Sequence, residues 1–324
     1  MTQIALIGVG AGAAAALLFG SVTSGIGFSV ILFYLAPLPI MIVAAGWSHW
    51  AGLTAAVAAA AMLGGVFGIL FFAIFLASVG APAWWLGYLA LLGRPVANGG
   101  APHIEWYPPG RLVLWAAMLG AAVVVGALAM FGGDEATIRR GLKGALDQLL
   151  RLQTGSPADA PLRVPGIEDA DRVVEMLVSA LPPTAAVITA ITLTGNLWLA
   201  GLIVRLSGRL TRPWPDLAML SFPPLATAIY GALLAGAFLP DLAGLVAGLF
   251  AATLTMAFAL IGFAVIHTAT RHMRGRAVVL SGAYGCVILL IWPVFVMTLI
   301  GVAETLFGLR VRSSRRGPPA ARST

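Results

Sequence analysis

Charge is scarce in this chain. Asp, Glu, Lys and Arg make up 10% of its 324 residues; the first of them is Arg94 and the first acidic one is Glu105. Soluble domains carry roughly 25% charged and about 45–50% apolar residues, whereas here the hydrophobic share is 60%. A soluble core of this length could not hide so much apolar surface, so lipid is the main solvent. The single cysteine, Cys286, excludes a disulfide framework and a cysteine-ligated metal centre. Catalytic signatures are missing too: there is no Gly-x-x-x-x-Gly-Lys-Ser/Thr phosphate loop, no His-Glu-x-x-His and no Gly-x-Ser-x-Gly elbow. No enzymatic activity and no cofactor are therefore expected, and any ATP hydrolysis has to come from a partner protein.

What the chain does contain begins with IALIGVGAGAAAALLFG, residues 4–20, where Gly8, Gly10 and Ala13 have the spacing of a dinucleotide-binding turn. Such a turn needs an acid about 20 residues further on to hold the ribose, and SVILFYLAPLPI supplies none. Read instead as a helix, Gly8, Gly12, Ala16 and Gly20 share one face, the small-xxx-small surface on which helices approach closely in lipid. Gly244, Gly248 and Ala252 repeat the pattern, as do Ala122 and Gly126. These faces either close a bundle within one chain or dock a second membrane protein. No Lys or Arg precedes the first span, so a cleaved signal peptide is not expected.

Spanning helices need about 20 apolar residues, and such runs lie near 4–20, 27–45, 49–65, 66–80, 111–131, 184–206, 222–239, 242–267 and 278–305. The expected fold is an all-α polytopic bundle with about eight or nine spans. Its organisation reads as N-terminal transmembrane helices (1–131), an amphipathic helical insertion (132–183), C-terminal transmembrane helices (184–308) and a basic disordered tail (309–324). The piece APAWWLGYLALL, 81–92, either completes a bent span or lies at the interface, and the Gly/Pro-rich loop after it should hold no regular element. In the insertion, Ile138, Leu142, Ala145, Leu146, Leu149 and Leu150 face away from Arg139, Arg140, Lys143, Asp147 and Arg151. That helix lies along the membrane or recruits a partner.

The net charge of +7 points to anionic lipid headgroups through the positive-inside rule rather than to nucleic acid. A cytoplasmic insertion and tail leave Arg205, Arg209, Arg212, Arg271, Arg274 and Arg276 on the other side if every run crosses once, so one run is re-entrant or miscounted. Among polar residues, Thr189, Thr192 and Asn196 form one stripe of an otherwise apolar helix, with Arg205 and Arg209 extending it. The stripe either makes interhelical hydrogen bonds or lines a pocket for a small polar ligand. Pro37 and Pro39 interrupt the second span and free carbonyls that must find partners. His103 and Glu105 alone make a weak metal site.

SGIGFSVILFYLAPLPIMIVAAGWSHWAG, NLWLAGLIVRLSGRLTRPWPDLAMLSFPP and IGFAVIHTATRHMRGRAVVL followed by LIGVAETLFGLRVR carry a family likeness. Across residues 1–312 the chain resembles the YybS-like bacterial membrane proteins, a family with a domain of unknown function. The resemblance singles out Pro37, Pro39, Asn196, Arg205, Pro223, Gly262, Gly301, Glu304 and Arg310. It implies a multi-pass protein of the bacterial inner membrane. More distantly the family is similar to the S components of energy-coupling-factor transporters, which implies a small molecule held between helices and docking on a partner through small-residue faces. Two roles follow as expectations: a transporter-like, small-molecule-binding component, or a scaffold that recruits partner proteins through residues 134–182.

Overall fold

The computed structural model describes residues 2–25, 27–97, 103–155 and 169–310; most of the linker after residue 154 and the tail beyond 310 lie outside them. Its helices are α1 (Thr2–Gly20), α2 (Ser29–Tyr34), α3 (Pro37–Gly46), α4 (His49–Phe67), α5 (Ile69–Phe75), α6 (Ala81–Ala90), α7 (Pro109–Ala129), α8 (Glu135–Thr154), α9 (Ala170–Leu206), α10 (Pro224–Gly236), α11 (Asp241–Ala269), α12 (Arg276–Leu290) and α13 (Pro293–Phe307). A π-helical turn, Leu76–Gly80, joins α5 to α6, so the expected 66–80 span and the aromatic piece after it are one bent, continuous segment. Among the described residues, seven segments are long and apolar enough to cross a membrane, and α10, α12 and α13 are shorter apolar helices. The chain is a polytopic helical bundle.

Two groups of helices meet on α9. One core joins α1, α3, α4, α5 and α6 through small residues such as Ala51, Ala55 and Ala59, reaching Leu193 and Ala200 of α9. The other joins α7, α10 and α11 around Phe222, Tyr230 and Phe258. The α1 stripe serves this packing. A Cβ on Gly12 would sit 2.6 Å from the Ala55 carbonyl oxygen, and Gly8 meets Ala51 and Thr54, so α1 and α4 run in parallel at backbone distance. A Cβ on Gly20 would meet nothing within 4 Å among the described residues, so it makes no such contact. The Gly244/Gly248 pair forms no seam between spans either: Gly244 abuts the Leu239 carbonyl in the preceding turn, and Gly248 has Ala237 at 3.9 Å.

Helix directions follow from the contacts. Gly120 of α7 packs on Ala186 and Ala190 of α9, while Leu112 packs near Leu197, so these helices are antiparallel. α8 then sits beside the start of α9, with Arg139 donating to Ser179 and Lys143 pairing with Glu175. Asp134 caps α8 through the Thr137 amide, and the hydrogen bond from the Thr137 hydroxyl, followed by that from the amide, holds its carboxyl below the ordinary value. At the opposite end lie Arg205, Arg209 and Arg212. The Gly/Pro loop departs from expectation there: Gly93–Val96 pairs antiparallel with His103–Trp106. Glu105 accepts from Arg94 in that hairpin, so it is engaged in an ion pair rather than a metal site.

The run 278–305, expected as one span, is instead two half-length helices. Thr298 donates to the Thr255 carbonyl, and Gly301 lies against Phe258 and Gly262, so α13 runs parallel to α11. α12 must therefore run the other way, and it does: Tyr284 stacks on Phe263 and bonds His267 near the end of α11. The turn at Ile291, in the left-handed region with φ 59°, and Pro293 reverses the chain about midway along α11. The pair α12–α13 is thus a hairpin that enters and leaves at one end of the bundle. It brings Arg271, Arg274, Arg276 and Arg310 to the same end as Arg205, Arg209 and Arg212.

Candidate functional site

Residues 217–223, between the arginine end and α10, are a 3-10 turn (Leu217–Met219) followed by extended chain, and they pass beside α7 and α11 in protein rather than in lipid. The Ser221 carbonyl lies against Gly110, and Phe222 packs edge-on against Phe258. Backbone outside a helix is tolerated at such depth only when protein satisfies its carbonyls. Arg310 does this. Its guanidinium donates to the carbonyls of Ala218 and Leu220, and Thr268 donates to Ala218 as well. Arg310 is held by Glu304 through its Nε at 2.8 Å and its backbone amide at 3.0 Å, with both side chains only 8% exposed. The two are six residues apart, which no helix face brings together. The left-handed turn at Gly308 folds Arg310 back.

A cavity of 850 Å³ opens above this latch, between the two groups of helices. Leu197, Trp198, Leu260 and Phe263 form apolar wall, while Arg212, Asp216, Arg271 and Arg276 gather at the arginine end. Its volume suits a bound small molecule, which needs roughly 300–1,000 Å³. Arg271 pairs with Asp216, and that bond keeps the Asp216 carboxyl below its ordinary value. Arg212 has no acidic partner among the described residues. It donates to the carbonyls of Ala90 and Tyr107 at 2.7 and 3.3 Å, and burial pulls its guanidinium below the ordinary value. Its Nε, shut off from solvent, has no hydrogen-bond partner among the described residues. Arg205 and Arg209 stand outside, over Trp214 and Trp47 at 5.2 and 4.3 Å, an interfacial arrangement.

The Thr189/Thr192/Asn196 stripe is not in this cavity. Thr189 back-bonds to Ala185 in its own helix. Asn196 donates to the Tyr34 carbonyl at 2.9 Å and to Thr192 at 2.8 Å. The Tyr34 carbonyl is one that the Pro37 break frees, since the Leu38 amide turns to Leu35 instead. Thr192 and Asn196 line only an apolar depression of 280 Å³ with Ile31 and Leu35. Thr194, a neighbour the stripe omits, faces the large cavity, and Gly195 borders both spaces. Of the residues the family likeness names, Pro223 precedes α10, Gly262 and Gly301 form the α11–α13 crossing, and Glu304 and Arg310 form the latch. Arg205 lies apart from them. No group of three or more metal-ligating side chains occurs among the described residues. Comparison with family models, with curated proteins and with solved structures finds no match to this chain.

Proposed function

We propose that this chain is a transporter-like component of the bacterial inner membrane that takes a small molecule into the cavity at its arginine end. The observation that carries the reading is the 850 Å³ space at the seam of the two helix groups, with cationic side chains at one end and apolar walls beyond. Binding rather than catalysis is proposed. Membership of the YybS-like family belongs to the same proposal, supported by the meeting of Gly262, Gly301, Glu304 and Arg310 in one place. The arginine end is assigned to the cytoplasm because each acid there, Glu105, Asp216 and Glu304, is already paired with an arginine. Arg111, Arg205, Arg209, Arg212, Arg274 and Arg276 remain in excess, whereas α8 mixes both signs. This orientation puts α8 on the far side, against the sequence expectation of a cytoplasmic insertion.

Gly195 supplies the test. It lines the cavity, and a Cβ there would meet nothing within 4 Å, so phenylalanine fills the space without disturbing the helix packing. Native mass spectrometry of protein in lipid nanodiscs should show a co-purified small molecule on the wild type and its loss in Gly195→Phe. Equal occupancy in both would contradict the reading. The scaffold role keeps some support from Leu149 and Leu152, exposed on α8. It predicts that deleting residues 135–154 removes a co-purifying protein while the bundle still inserts.

A further inference from the structure

Charge is confined to one end of the cavity and the rest of its lining is mainly apolar, which narrows what it can hold. Arg212, Arg271 and Arg276 occupy one end, where Asp216 is ion-paired with Arg271. A cation would be repelled there. A neutral molecule would leave the charges of Arg212 and Arg276, which have no acidic partner among the described residues, uncompensated. The remaining wall is mainly apolar, with Leu197, Trp198, Leu260 and Phe263; its polar members Thr194, His267 and Tyr284 already bond within the protein, which leaves few partners for a sugar or an amino acid. The cavity also has a side opening. Trp198 of α9 and Tyr284 of α12 both line it and are 45% and 41% exposed, and Gly195 beside them carries no side chain. α12 buries none of its residues, so its flank towards α9 is left uncovered by the described residues.

We infer that the ligand is a single-chain anionic amphiphile, with a phosphate or carboxylate head at Arg212 and Arg276 and an apolar tail lying between α9 and α12. This rests on the binding role proposed above and names its substrate class. The head takes charge-assisted hydrogen bonds from the guanidinium groups of Arg212 and Arg276. The tail passes the Gly195 opening towards the bilayer, so the molecule enters sideways from lipid rather than through water.

Brominated fatty acid tests the assignment, because bromine quenches tryptophan and Trp198 and Trp214 both line the site. Protein in phosphatidylcholine nanodiscs is titrated with dibromostearate, with its methyl ester, and with dibromostearate in the presence of inorganic phosphate. The acid should give saturable quenching at a mole fraction about tenfold below the ester, and inorganic phosphate should not displace it. Gly195→Phe and Arg276→Gln should each weaken that saturable component by about tenfold or more. Arg276 is exposed and makes no ion pair among the described residues, so its variant tests the charge even if Arg212→Gln fails to fold. Equal saturable quenching by acid and ester, lost in Gly195→Phe, overturns the anionic head while leaving a binding cavity. Displacement by inorganic phosphate with no effect of Gly195→Phe overturns the tail and marks a free-anion site. Absence of any saturable component that Gly195→Phe removes overturns both this inference and the binding role.

Discussion

Leucine at Gly301 is expected to destabilise the protein by about 3 kcal/mol or more, the upper range for overpacking, because the obstruction is backbone. A Cβ at Gly301 would overlap the Phe258 carbonyl oxygen, and one at Gly262 would overlap that of Met297. Flexible side chains can yield by rotating; two parallel helices in contact can yield only by separating. α13 would then leave α11, taking Glu304 and Arg310 from the extended segment they hold. Gly282 of α12 is the control, since nothing lies within 4 Å of its Cβ position. Leucine there should be neutral or slightly stabilising through helix propensity, worth about 1 kcal/mol over glycine. Thermal unfolding in detergent, followed by size-exclusion fluorescence, separates the two. Equal midpoints for Gly301→Leu and Gly282→Leu would mean that α11 and α13 do not meet as described.

Breaking the Glu304–Arg310 pair from either side should cost about 3–5 kcal/mol, the range for leaving one buried charge uncompensated. Both partners are 8% exposed, so water screens neither. Arg310→Met has a second consequence, since it removes the donors to the Ala218 and Leu220 carbonyls, whereas Glu304→Gln leaves them in place. The double variant Glu304→Gln/Arg310→Met should lose much less than the sum of the single losses, because the partner left stranded in each single variant is then gone. A double-mutant cycle on denaturant unfolding in detergent reads this coupling. Additive losses would show that the two side chains act independently and that Glu304 does not hold the latch.

Some of this architecture was legible along the chain and some was not, for physical reasons. The scarcity of charge before Arg94 fixes lipid as the solvent, and the four-residue spacing of Gly8 and Gly12 marks a close helix contact. Pro37 and Pro39 announce freed carbonyls, and Asn196, the one amide in its span, takes one of them. In each of these cases a local pattern carries the information. The α12–α13 hairpin is different: hydropathy over 278–305 measures solvent and not direction, so a reversal at Ile291 and Trp292 leaves the apolar run unbroken. Pro293 is the only residue there that signals it. The Glu304–Arg310 latch depends on a left-handed turn at Gly308, which joins positions that helical periodicity keeps apart. The cavity draws on α6, α7, α9, α11, α12 and the 207–217 loop, so no single stripe outlines it. That is why Thr189 and Thr192 stood out in sequence while Thr194 and Gly195 line the space.

The most direct measurement is cysteine accessibility in a Cys286→Ser background, with single cysteines at Gly144 on α8, Gly275 before α12 and Leu309 after α13. A membrane-impermeant maleimide applied from each side of sealed vesicles should label positions 275 and 309 from the cytoplasmic side and position 144 from the opposite side. Labelling of 275 and 309 from opposite sides would make α12–α13 an ordinary crossing, and would take the cationic end of the cavity apart.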